Sequence, residues 1–217
     1  LAGLAVPAGA VEELSQIQQL VADPPTSLDF FGYSIAADGD RLVIGAPVNE
    51  FSSTDPGSIY VFERVTGGGW LQTAHLEPAG AQDQGKLGFS VDVSGDVIVA
   101  GEPSRDQGAS GTGAAWVFEV DPASGSWRLA ATLVPGDVAP NDVFGTAVAV
   151  DGDTIVVSSP EDDDNGDRSG SAYVFVRDAI TGEWAQEAKL LASDGETLDT
   201  FGSDVDIHGD RIVVGTP

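Results

Sequence analysis

The 217-residue sequence predicts an all-β fold: a β-propeller of four-stranded antiparallel blades, present as an incomplete ring. Three observations carry this. An anchor glycine recurs at Gly32, Gly88, Gly145 and Gly202, in steps of 56, 57 and 57 residues, and a fixed period marks a repeat architecture. After each anchor the chain alternates, with Ile35 and Ala37, Val91 and Val93, Val148 and Val150, and Val205 and Ile207 on one face. The 28 Gly and 12 Pro supply turns between many short strands.

Further anchors keep the same register. Twelve residues before each glycine stand Leu20, Leu76, Leu133 and Leu190, and six before those stand Leu14, Trp70, Trp127 and Trp184. Each unit reads as four strands. The alternating strand comes first. The second is a nearly unbroken apolar run ("LVI", "VIVA", "TIVV", "IVV"), as expected where both faces are covered. The third is aromatic and β-branched ("GSIYVFER", "GAAWVFEV", "GSAYVFVR"). The fourth runs from the Trp to the Leu, after a Gly-containing turn.

Blades are thus expected at 30–76, 87–133 and 144–190, with 201–217 opening a fourth. A blade cannot bury two apolar faces alone, so blades stack around an axis and the aromatics are packing residues. "VEELSQIQQL" has helical propensity, but "QQLVADPPTSLDFFG" aligns without gaps to "AKLLASDGETLDTFG". Residues 11–22 therefore read as an outer strand that closes the last blade. Three and a half blades fall short of a ring, so the expected partners include missing blades of the same chain.

Residues 1–10, "LAGLAVPAGA", are apolar and end in a small-x-small pattern before polar "VEELSQ". They read as the remnant of a signal peptide cut after Ala10, an apolar linker being the alternative. The expected location is extracellular or at the cell surface. No stretch has the roughly 18 apolar residues of a membrane span. Thirty-five acidic residues against two Lys and seven Arg leave a formal charge of −26. That surface repels nucleic acid and attracts cations or basic partners. Without Cys there are no disulfides or thiolate zinc sites.

The words "FG…GAP…G…YVF", clearest in "FGYSIAADGDRLVIGAP", resemble the FG-GAP repeat, the blade of the integrin α-subunit propeller and of many secreted bacterial proteins. Leu87 replaces the Phe in the second copy, and Ser158-Ser159-Pro160 loses the Gly in the third. The resemblance implies a non-catalytic binding or adhesion module that recognises protein or carbohydrate through its blade loops. The alternative is a substrate-binding propeller attached to an enzyme whose catalytic domain lies elsewhere.

Calcium-bearing members insert D-x-D-x-D-G-x-x-D between the first and second strands. Here the hairpins hold only "ADGD", "VSGD", "VDGD" and "IHGD". One or two carboxylates cannot supply the six to eight oxygens that calcium takes, so Gly39, Gly95, Gly152 and Gly209 read as turn residues. One loop, "PEDDDNGDRSG", loosely echoes the calcium pattern through Glu161, Asp163, Asn165 and Asp167. A solvated acidic loop is its plainer reading. No cofactor is required, and calcium is the ion this loop would take. His75 and His208 are the only histidines, and no G-x-S-x-G marks a nucleophile, so no enzyme activity is expected.

Overall fold

The structure, a computed structural model, describes residues 18–24, 29–47, 56–106 and 108–217. The expected signal remnant (1–10) and residues 11–17 of the expected outer strand lie outside these. No helix is assigned among the described residues, and none is long and apolar enough to cross a membrane.

Three antiparallel four-stranded sheets follow one another along the chain. The first comprises β1 (Ser34–Asp38), β2 (Arg41–Ala46), β3 (Ser58–Arg64) and β4 (Trp70–Leu76). The second comprises β5 (Val91–Ser94), β6 (Val97–Glu102), β7 (Ala114–Val120) and β8 (Trp127–Leu133). The third comprises β9 (Val148–Asp151), β10 (Thr154–Ser159), β11 (Ser171–Arg177) and β12 (Trp184–Leu190). A two-stranded sheet, β13 (Val205–His208) with β14 (Arg211–Val214), begins a fourth blade. The strands fall in chain order within each sheet, as hairpin connections require. Each blade shifts register at the same place between its third and fourth strands, at Val61/Phe62, Val117/Phe118 and Val174/Phe175.

The first strands β1, β5, β9 and β13 meet in sequence, so the blades form an open arc of an incomplete propeller. Apolar layers lie between blades. Leu76 of the first blade packs with Leu87, Trp116 and Phe118 of the second. Leu133 packs likewise with Phe144, Tyr173 and Phe175, and Leu190 with Phe201. Leu20 takes the equivalent place against Phe31, Tyr60 and Phe62. Its segment has no strand assigned, but it follows β4 through side chains. Gln18 and the Trp70 backbone bond reciprocally at 2.9 and 2.7 Å, and Gln72 does the same with the Asp23 backbone at 2.5 and 2.9 Å.

The glycines of the two motif words are partners across a blade boundary. A Cβ on Gly45 would strike the Gly88 carbonyl, and one on Gly88 would lie 3.1 Å from the Gly45 Cα. Gly101 and Gly145 repeat this approach. Gly88 and Gly145 also hold φ of +83° and +94°, which glycine adopts without steric cost. In the third blade Ser158 replaces the glycine and Ala147 stands where Ser34 and Ser90 stand elsewhere. There the Ser158 hydroxyl accepts from the Ala147 N–H at 2.8 Å.

The acidic hairpins form a second set of ties. The Asp38 carboxylate accepts from the Gly95 N–H of the next blade at 2.6 Å, Ser94 Oγ from Gly152 N–H at 3.1 Å, and Asp151 from Gly209 N–H at 2.7 Å. Gly39, Gly95, Gly152 and Gly209 all have φ between 53° and 58°, the left-handed value a two-residue hairpin turn demands.

Candidate functional site on the loop face

The connections from second to third strand and from each blade to the next share one face of the arc. They are joined by short parallel bridges, Gly57 to Leu87, Gly113 to Phe144 and Gly170 to Phe201. The third residue of β3, β7 and β11 (Tyr60, Trp116 and Tyr173) points a large ring beneath this face and is almost wholly buried. Its cross-strand partner differs in every blade: His75, Thr132 and Lys189.

In the first blade His75 stacks on Tyr60, ring centroids 4.6 Å apart. In the second, fully buried Glu102 accepts from Trp116 Nε1 at 2.7 Å and from Gln82 N–H at 2.7 Å, and meets Arg105 at 3.1 Å. Arg105 lies over the Trp116 ring at 4.9 Å. Burial pushes the Glu102 carboxyl above its ordinary range, although these partners pull against it.

In the third blade Lys189 Nζ stands among three carboxylates, 2.8 Å from Asp137, 2.8 Å from Asp162 and 2.5 Å from Asp164, and 5.0 Å from the Tyr173 ring. Asp162 is buried and also accepts from Ser171 Oγ at 2.7 Å and Tyr173 Oη at 2.8 Å. Burial alone would raise its carboxyl, but Lys189, the Asp164 amide and the two hydroxyls hold it below the usual range. Burial likewise opposes the Lys189 charge, yet its carboxylates outweigh this and hold the ammonium above the ordinary lysine range. Burial pushes the Tyr173 phenol up. Behind them lies buried Asp142, raised to about 6 chiefly by burial, its Oδ2 accepting from Ala139 N–H at 2.6 Å.

The four residues with calcium-like spacing are placed separately. Glu161 pairs with Arg168. Asp163 Oδ1 accepts from the Arg168 N–H at 2.7 Å, closing a turn. Asn165 donates to the Ala192 carbonyl at 3.0 Å, and the Asp167 carbonyl accepts from the Leu198 N–H at 2.8 Å. Among the described residues no three Asp, Glu or His side chains are arranged to hold a metal ion. Where three carboxylates do converge, a lysine stands at their centre.

The sequence pattern singled out this loop but not Asp162, whose position falls outside the alternating set. Lys189, one of only two lysines and set opposite the third-strand aromatic, was the available signal. As for proton transfer, Lys189 and Tyr173 are both held protonated at neutral pH. His208 is exposed in its hairpin, and His75 is stacked on Tyr60 in the first blade, two blades before Lys189.

The fold and this face define a repeat-built propeller module. The chain belongs to the FG-GAP repeat family, whose profile matches residues 14–62, 70–118, 127–175 and 184–217. Solved structures it resembles include Sqt1 of Saccharomyces cerevisiae, at 11% identity over 78% of this chain and 37% of that one, TM-score 0.49. Another is the periplasmic gluconolactonase PpgL of Pseudomonas aeruginosa, at 21% identity over 74% of this chain and 39% of that one, TM-score 0.45. The chain spans less than two fifths of the length of either. No curated protein matches it.

Proposed function

We propose that this chain is a non-catalytic binding module, secreted or displayed at the cell surface, that recognises a protein or carbohydrate through the loop face and serves adhesion. One observation carries the reading. Backbone ties between blades repeat from unit to unit, while the side-chain networks around the third-strand aromatic differ in each blade, from Tyr60–His75 to Glu102–Arg105–Trp116 to Asp162–Lys189–Tyr173. A constant scaffold whose loops are supported differently in each blade is how repeat folds carry recognition. The tightly bonded polar groups make that surface rigid, which lowers the ordering cost of binding.

The test is a panel of glycans and extracellular proteins probed with the protein and with a Glu161→Ala/Asp163→Ala/Asp167→Ala variant. The expected result is a ligand that the wild type binds and the variant binds at least tenfold more weakly, while the variant still melts in a cooperative transition. Equal binding by both, or turnover of a panel member, would overturn the reading.

A further inference from the structure

We infer that the rim groove between the first two blades is a docking site for an arginine side chain of a basic protein partner. The groove reaches His75, but the two groups that would hold the arginine, Glu63 near the end of β3 and Trp127 at the start of β8, lie at the opposite end of the strands from the loop face.

The corresponding place between the second and third blades shows what fills it. Glu119, at the end of β7, is buried and receives Arg128 at 2.9 Å, Arg177 at 3.2 Å and the Trp184 Nε1–H at 3.1 Å. Arg128 is the cross-strand partner of Glu119, and Arg177 that of Trp184. A carboxylate, an indole and two guanidiniums close that groove with chain atoms.

One repeat earlier the carboxylate and the indole remain, as Glu63 and Trp127, but both arginines are gone. Glu63 has Leu71 across from it on β4 and Arg41 on β2, where Glu119 has Arg128 and Val97, and the partner of Trp127 is Val120. Glu63 keeps one ligand, Arg41, at 3.3 Å to Oε1, while Oε2 has no bonded partner among the described residues. Arg41 lies over one face of Trp127 at 4.8 Å, and no described group accepts from the Trp127 indole N–H. The Glu63 side chain is consequently 43% exposed, against 5% for Glu119. The space is an open groove of about 300 Å³ lined by Glu63, Thr73, His75, Ser126 and Trp127.

Arg41 supplies one guanidinium where Glu119 receives two, so the place left open suits a second planar cation able to bond the free carboxylate oxygen while lying beside the aromatic ring. Guanidinium meets both demands, and the compact, strongly hydrated ammonium of lysine meets them less well. The charge of −26 steers a basic partner toward the rim.

Titration of the protein with an arginine-glycine peptide at low salt, followed by Trp fluorescence and calorimetry, tests this. The wild type should bind, and a peptide with citrulline for arginine should lose at least tenfold in affinity. Glu63→Gln should lose as much. A Leu71→Arg/Val120→Arg variant, which restores the internal guanidiniums, should lose binding while its melting temperature holds or rises. Equal affinity for the citrulline peptide, undiminished binding by the refilled variant, or preferential binding of a neutral oligosaccharide in this groove would each overturn the inference.

Discussion

The carboxylate of Glu102 occupies the space where a side chain on Gly85 would begin. Gly85 aligns with Asp142 and Asp199, whose own carboxylates accept from the N–H three residues earlier, Ala139 and Glu196, each at 2.6 Å. Glu102 performs that service for Gln82 at 2.7 Å, reaching in from the end of β6. One carboxylate position is thus filled from two different places in the repeat. Glu102→Ser, which copies Ser159 of the third blade, strips partners from Trp116, Arg105 and Gln82. It should cost about 3–5 kcal/mol, the scale for breaking a buried charge network. Gly85→Asp alone should also destabilise, by clash and like charge. The double variant should melt above either single one, because the new Asp caps Gln82. The turn must widen to admit it, as it does from 2.8 Å at Gly85 to 3.4 Å at Asp142 and 3.2 Å at Asp199. Thermal melts of the four proteins decide this, and additive losses would refute it.

Asp142 makes stability depend on mild acid. Its carboxyl is raised from 3.8 to about 6, so the folded chain holds this proton more tightly than the unfolded chain does. The ionised form is therefore a liability above pH 6, one that fades as pH falls toward 4. Asp142→Asn keeps an oxygen for the Ala139 N–H without the charge. It should be more stable than wild type by about 1–3 kcal/mol at pH 7.5 and equal at pH 4. Urea denaturation at both pH values checks the difference, and a constant gap would reject it.

Lys189 does in the third blade what an ion would do. Lys189→Met leaves Asp137, Asp162 and Asp164 facing one another. It should cost about 3–5 kcal/mol, because an uncompensated buried charge remains. Calcium suits three converging carboxylates, so millimolar calcium should recover part of the lost melting temperature in the variant and leave wild type unmoved. Calcium stabilisation of wild type that survives in Asp162→Asn would place the ion elsewhere.

Apolar positions at the two ends of the described arc are exposed. Ile35 is 63% exposed although its counterparts Val91, Val148 and Val205 are buried by a preceding blade, and Val213 is 66% exposed although Val43, Val99 and Val156 are fully buried. Because each face matches the other, copies of this chain should associate head to tail as concentration rises. Sedimentation of wild type against Ile35→Glu should show association lost in the variant. A wild type that stays monomeric across the range would refute it.

Much of the scaffold was legible because glycines that need positive φ or close approach, and aromatics that fill the layers, leave fixed residue types at fixed spacing. The hairpins read correctly as turns. Their acids were assigned no role, since the N–H that Asp38 or Asp151 receives belongs to another blade and no local pattern reports it. Glu102 was silent for a related reason: its counterparts are Ala46 and Ser159, so nothing at its own position repeats. At the loop face the sequence offered a solvated acidic loop or a loose calcium pattern. The deciding residue, Lys189, lies on β12, remote in sequence from the acids it holds. Side-chain networks that cross elements are where a one-dimensional pattern runs out.

The contact between Gly45 and Gly88 bears on how such a chain can grow. The junction is made largely of main-chain atoms, so it tolerates drift in the residues around it, and each unit carries one half at its start and the complementary half later on. A tandem copy of any 57-residue stretch therefore arrives with both halves in phase and joins its neighbours without inventing a contact. Lengthening by duplication requires no new fit at the seam, and the copied loops are then free to diverge.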